Sequence, residues 1–143
     1  MEHKRLKKIL ELSRRVEKAR KGELSNARHE QNLALQELER RKGEERAQLR
    51  ALEESGELDV HALFDRARGL TLAAAKVQEA RAVHVEKDSE VQRREAVAVE
   101  AMRDVRKFEI LCERSHEERR IAERNAEQQT LDETRRTQKR GGE

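Results

Sequence analysis

Apolar side chains recur every three or four residues along most of the chain, and the recurrence breaks clearly once, at Glu54-Ser55-Gly56-Glu57-Leu58-Asp59. Before the break the main repeating residues are Leu6, Ile9, Leu10, Val16, Leu24, Ala27, Leu35, Leu38, Leu49 and Leu52. Threes and fours are the period of one helical face. A stripe this narrow is closer to a coiled-coil seam than to the broad face of a globular helix. The break carries turn chemistry: Gly56 can take the left-handed conformation that ends many helices, and Asp59 suits the N-cap of the next. The pattern predicts helix over 2–54, a turn over 55–59, helix over 60–139 and a flexible tail over 140–143, all within one elongated coiled-coil unit. At about 1.5 Å per residue the helices would run roughly 80 Å and roughly 120 Å, so they are unequal.

Composition removes the competing fold classes. Charged residues make up 44% of the chain and aromatics 1%, too thin an apolar supply for a two-layer domain with a thick core. High charge also suits disorder, but the chain is rich in Ala, Glu, Lys, Arg, Leu and Gln, which form helix, and it has no proline. The expected fold is therefore all-α: a long two-helix antiparallel coiled coil, or helical hairpin, with a C-terminal helical overhang. Gly22 and Gly43 each cost about 1 kcal/mol relative to alanine inside a helix, so the first helix is expected to fray or bend unless a partner holds it. Gly69 weakens the second.

Acidic and basic residues are interspersed, and a net charge of +3 over 143 residues gives no strong field for nucleic acid or an anionic membrane. No apolar run approaches the roughly 20 residues that span a bilayer, and Met1-Glu2-His3-Lys4-Arg5-Leu6 leads into charged helix rather than a signal-peptide core. Cys112 is the only cysteine, which rules out an intrachain disulfide and fits a reducing compartment. These features predict a cytoplasmic protein.

The usual carriers of chemistry are missing. The glycines are isolated, with no phosphate-cradling G-x-x-x-x-G-K-[ST] loop. His3, His29, His61, His84 and His116 are scattered, without the spacing that gives a metal its ligands. Arg106, Lys107 and Arg114 lie near Cys112, yet a two-helix seam supplies neither the cleft nor the oriented base that a nucleophile needs, and Cys112 reads as a small seam residue. The expectation is a protein with no catalytic activity, no cofactor and no metal site.

In an antiparallel pair, facing residues have numbers that add to a constant. A constant of about 115 pairs Leu52 with Leu63, Glu45 with Leu70, Leu38 with Val77, Gln31 with His84, Leu24 with Val91, Glu17 with Ala98 and Leu10 with Val105. The intervening ladder pairs Gln48 with Ala67, Arg41 with Ala74, Ala34 with Arg81, Ala27 with Asp88, Arg20 with Glu95 and Ser13 with Met102. The register is fixed this way only to within a few residues. The layer of Gln31 and His84 is either a buried polar pair that sets the register or a solvated gap. Met1 then falls opposite about Arg114, and residues after His116 have no partner in the chain. A helix without a tertiary partner is marginal, so this overhang is mobile or docks elsewhere.

The expected hairpin also has distinct ends. His3, Lys4, Arg5, Lys7 and Lys8 place positive charge at a helix N-terminus, against the dipole, which either serves an acidic partner or simply aids solubility. Arg135, Arg136, Lys139 and Arg140 sit at a helix C-terminus, where the dipole favours them. Both basic termini are expected to approach each other at one end, while the turn is mildly acidic at Glu53, Glu54, Glu57 and Asp59.

The amphipathic start at Leu6, Ile9 and Leu10, the two unequal charged helices, and Glu127-Gln128-Gln129-Thr130-Leu131-Asp132-Glu133 followed by basic residues together resemble the FliJ family of flagellar type III export proteins, and the related YscO proteins of virulence-associated secretion. The resemblance implies a non-enzymatic, monomeric stalk, cytoplasmic and peripheral at the inner membrane only through the export apparatus. Its implied partners are the hexameric export ATPase, the cytoplasmic domain of the export gate, and substrate chaperones, with no nucleic acid. The residues it points to at the ATPase are His3, Lys4, Arg5, Lys7, Lys8, Arg119, Arg120, Glu127, Gln128, Leu131, Asp132 and Glu133. Leu63, Phe64 and Leu70 are the gate-binding candidates; the chain lacks the tyrosine and tryptophan that some family members display on that face. The alternative reading is a cytoplasmic coiled-coil scaffold or dimerisation protein.

Overall fold

The structure, a computed structural model, describes residues 2–141. It contains two helices, α1 (His3–Glu54) and α2 (Val60–Gly141), of 52 and 82 residues, packed against each other as an all-α hairpin. Arg140 and Gly141, expected in the tail, continue α2; residues 142 and 143 lie outside the described residues. α1 runs on through Gly22 and Gly43, with no break at either.

The turn is capped by side chains rather than by a left-handed glycine, because no described glycine has a positive φ. The Ser55 hydroxyl donates to the Leu52 carbonyl at 2.6 Å, and Arg66 Nη1 donates to the Ala51 carbonyl at 2.6 Å. These bonds satisfy carbonyls that the end of a helix leaves without partners. At the start of α2, Asp59 acts as expected: its Oδ1 accepts the Ala62 amide at 2.6 Å, the bond of an N-cap to the third helical residue.

Contacts divide the chain into two compact units, Ala19–Val99 and Met1–Lys18 with Glu100–Glu143. In the first, Leu24, Ala27, Val91 and Ala98 form one buried cluster, and Leu38, Val77 and Ala80 another. Between the clusters Gln31 Nε2 donates to Asp88 Oδ1 at 2.7 Å, and Lys87 bridges to Glu30 at 3.1 Å. Arg94 Nη1 reaches Glu23 at 3.2 Å. Toward the turn, Gln48 lies against Gly69. The joined residues have numbers adding to between 117 and 119, about three above the constant read from the sequence.

The shift has a geometric cause. Seam positions alternate steps of three and four in each helix, and an antiparallel pair needs equal steps to face one another. A constant of 115 aligns one ladder and carries the other off the seam, whereas one near 118 aligns both. Accordingly Ala80 is buried and Arg94 half-buried, while their neighbours Arg81 and Glu95 are exposed. Arg20 bonds to Glu23 on its own helix rather than to Glu95, and Glu23 joins it to Arg94. Asp88, expected opposite Ala27, takes the place given to His84 opposite Gln31. Neither Gln31 nor Asp88 is fully buried, so this layer is half-solvated but specifically bonded. Leu35 and Leu49, counted with the seam, are exposed, because the alternation passes through Ala34 and Gln48 instead.

In the second unit Leu6, Leu10, Ala101 and Val105 are buried, and Phe108 and Cys112 are half-buried beside them. Met102, expected opposite Ser13, is exposed while the smaller Ala101 faces inward; Val16 is exposed as well. Met1 lies outside the described residues, so its expected pairing with Arg114 does too. His3 meets His116, with ring centroids 6.0 Å apart. Ala122 and Glu123 still line spaces shared with His3, so the unpaired part of α2 begins at about Arg124 rather than directly after His116. From His116 to Gly141 every residue of α2 is exposed.

Candidate partner-binding surfaces

The first candidate surface is built by the start of α1 and the stretch of α2 beside it. Helix periodicity puts His3 and Lys7 one turn apart on the face that meets α2; His3 is half-buried there, and Lys4, Arg5, Lys7 and Lys8 are all exposed. His3, Lys7, His116, Arg119, Arg120 and Glu123 surround a space of about 300 Å³. A second space of about 580 Å³ lies between Glu2, His3 and Lys4 on α1 and Ser115, Glu118, Arg119 and Ala122 on α2. His3 and Arg119 border both.

The first turn of α1 holds no carboxylate, so the positive end of its dipole is reinforced by Lys4 and Arg5. Arg120 is partly neutralised by Glu117 at 3.3 Å. His3 feels the surrounding charge. Burial of its ring is the first cause that lowers its pKa from the ordinary histidine value, and the positive charges of Lys7 and Arg119, with His116, lower it further.

Of the residues singled out in the sequence, the fold brings together His3, Lys4, Lys7, Arg119 and Arg120. Glu127, Gln128, Leu131, Asp132 and Glu133 are exposed farther along the unpaired part of α2. Glu133 lies 14 positions past Arg119, a distance of about 21 Å along the helix. Asp132, Arg135, Arg136, Gln138 and Lys139 border one open space bounded by α2 alone. The basic C-terminal residues thus do not gather with His3 and Lys4, contrary to expectation, because α2 carries them past the start of α1. The hydroxyls of Thr130, Thr134 and Thr137 each donate to the carbonyl four residues back, at 2.8 to 2.9 Å, so they are satisfied within the helix.

The second candidate surface flanks the turn. No side chain from Glu39 to Lys76 is buried, because the inward positions there include Arg41, Glu45 and Gln48. Leu63 is 49% and Phe64 65% exposed, whereas Leu70 is half-buried. Leu63 and Leu70, seven apart, share a face, and Phe64 is turned about 100° from it. Leu49, Val60 and Leu72 add exposed apolar area that sequence reasoning did not single out for binding.

Two other features also escaped it. His116 faces His3 although nothing in the local sequence marks it, and only the pairing rule for antiparallel helices places 116 near 3. Ile9, Leu12, Ser13, Val16, Ala101 and Asp104 line a groove of about 200 Å³. Its signal was Leu12, one turn before Val16 but off the seam.

Among the described residues no helix is long and apolar enough to cross a membrane. No protein-family model matches the chain, and no curated protein or solved structure is significantly similar to it.

Proposed function

We propose that this protein is a non-enzymatic stalk component of a type III export apparatus, flagellar or related, as its sequence resemblance to the FliJ family implies. The start of α1 and the unpaired part of α2 bind the hexameric export ATPase. The exposed apolar residues Leu63 and Phe64, with Leu70, serve the export gate, and substrate chaperones are further partners. The protein acts as a monomer on the cytoplasmic side, peripheral to the inner membrane through the apparatus alone.

The observation that carries this reading is the extension of α2. Its residues from His116 to Gly141 are all exposed and helical, about half of them carry a charge, and they begin beside a cationic cluster on α1. A helix with so little apolar surface gains little from folding alone, so a persistent overhang of this kind suits a binding element. Long charged side chains on a helix make many weak, exchangeable contacts, which suits a shaft that must not lock onto one subunit of a ring.

Copurification with the export ATPase, and stimulation of its hydrolysis, test the assignment on the full chain and on a chain ending at Glu123, which keeps the part of α2 that lies beside α1. The shorter chain is expected to lose both. Equal behaviour of the two would remove the overhang from the ATPase contact.

The groove beside Ile9, Leu12 and Val16 favours a second reading, a coiled-coil scaffold that dimerises through that face. Light scattering after size exclusion separates the two, since the stalk is monomeric and the scaffold is a four-helix dimer.

A further inference from the structure

His3 and His116 form a contact between the first turn of α1 and α2 at a point where one added proton has few compensating groups. Nδ1 of His3 is buried and has no hydrogen-bond partner among the described residues. An unpartnered ring nitrogen out of water is tolerable when it is the lone-pair nitrogen of a neutral imidazole; as an N–H of the cation it leaves a charged donor unsatisfied. The neighbours on α1 are Glu2, Lys4 and Lys7. Those on α2 are His116, Glu118, Arg119, Arg120 and Glu123. None of the three carboxylates among them bonds to Nδ1. The cations Lys7 and Arg119 both oppose a charge on His3, as does the positive end of the α1 dipole.

We propose that the contact of His3 with His116 is a proton-sensitive latch, which holds the first turns of α1 against α2 while His3 is neutral and releases them when it is protonated. The release is local. Leu6 and Leu10, both buried, are the next inward side chains of α1, so the segment freed is the turn or two that precedes them.

The sign follows from linkage. His3 has a lower proton affinity in the folded chain than when unfolded, so the unfolded segment binds more protons over the window between the two values. The contribution of the latch is fully present above the ordinary histidine value of about 6.5 and is lost as pH falls through it toward the lowered value. The latch concerns the chain alone and stands whether or not the ATPase assignment holds.

The test is made on the full chain. Carbon–proton spectra follow each histidine ring through a pH titration, and hydrogen exchange follows the amides of Leu6 to Leu10, corrected for intrinsic exchange rate. His3 is expected to titrate below its ordinary value, and protection of those amides to fall about fivefold between about pH 7.5 and about pH 5.5. In His3→Leu the protection is expected to stay within about twofold over the same range. Arg119→Gln should raise the titration midpoint of His3. A midpoint at or above the ordinary value, or the same loss of protection in His3→Leu, would overturn the proposal.

Discussion

Gly22 and Gly43 stand inside α1, and a Cβ built on either meets nothing within 4 Å. Alanine there therefore has no steric cost, and it removes the backbone freedom that makes glycine unfavourable in a helix by about 1 kcal/mol. The two sites are 21 residues apart, about 32 Å along the helix, far enough for their effects to add. Gly22→Ala and Gly43→Ala should each stabilise the hairpin by about 1 kcal/mol, and the double variant by about 2 kcal/mol. For a chain of this size each step corresponds to a rise in Tm of roughly 3 to 5 °C. Thermal unfolding followed by circular dichroism at 222 nm reads this directly, with Gly56→Ala as a turn control that also meets nothing within 4 Å and has no positive φ. An unchanged or lowered Tm in the double variant would refute a continuous α1 with open space beside both glycines.

Three other perturbations probe the seam, the cap and the surface charges. Leu38→Ala should cost about 2 kcal/mol, the low end for a buried leucine because a two-helix seam lies close to solvent, whereas Leu35→Ala should stay within about 0.5 kcal/mol; similar losses in urea titrations would contradict the observed seam. Asp59→Ala removes the side-chain bond to the Ala62 amide and should lower stability by about 1 kcal/mol, with faster amide exchange over the first turn of α2. The carboxyl of Glu37 is held below its ordinary value by its hydrogen bond from Arg40, and that of Glu90 by those from Arg93 and Arg94. Their contribution is present above the ordinary carboxylate range and is lost as pH falls through the lowered values, so Glu37→Gln with Glu90→Gln should flatten the acid limb of the stability profile; an unaltered limb would show that these bridges contribute nothing.

The hairpin was legible because two independent signals agreed. The three-and-four spacing excluded strands, and the one Ser-Gly-Glu-Leu-Asp interruption left helix bounds of 2–54 and 60–139 against His3–Glu54 and Val60–Gly141. The register was less legible because alanines hold several of the inward positions of α2, among the valines. Ala80, Ala98 and Ala101 are buried while the larger Val97, Val99 and Met102 are exposed, so ranking residues by hydrophobicity favours the wrong neighbours. Close approach of two helices selects small side chains, a property of the pair that neither helix shows alone. The chemistry of the turn misled for a related reason. Gly56 invites a left-handed cap, but Arg66, eleven positions after Ser55, supplies a bond that only the folded turn brings within reach. Of the candidate partner-binding residues, the sequence marked the cationic cluster by charge alone and could not separate Lys4 and Lys7, which border spaces shared with α2, from Arg5 and Lys8, which do not.

In the proposed function the ATPase is engaged by the start of α1 and the adjoining α2, not by the residues around the turn. The most direct measurement is stimulation of export ATPase hydrolysis by two variants compared with the unaltered chain: Lys4→Glu with Lys7→Glu and Arg119→Glu, and Leu63→Ser with Phe64→Ser. The charge reversals are expected to abolish stimulation, and the serine variant to retain it. Retained stimulation in the first and loss in the second would contradict this assignment.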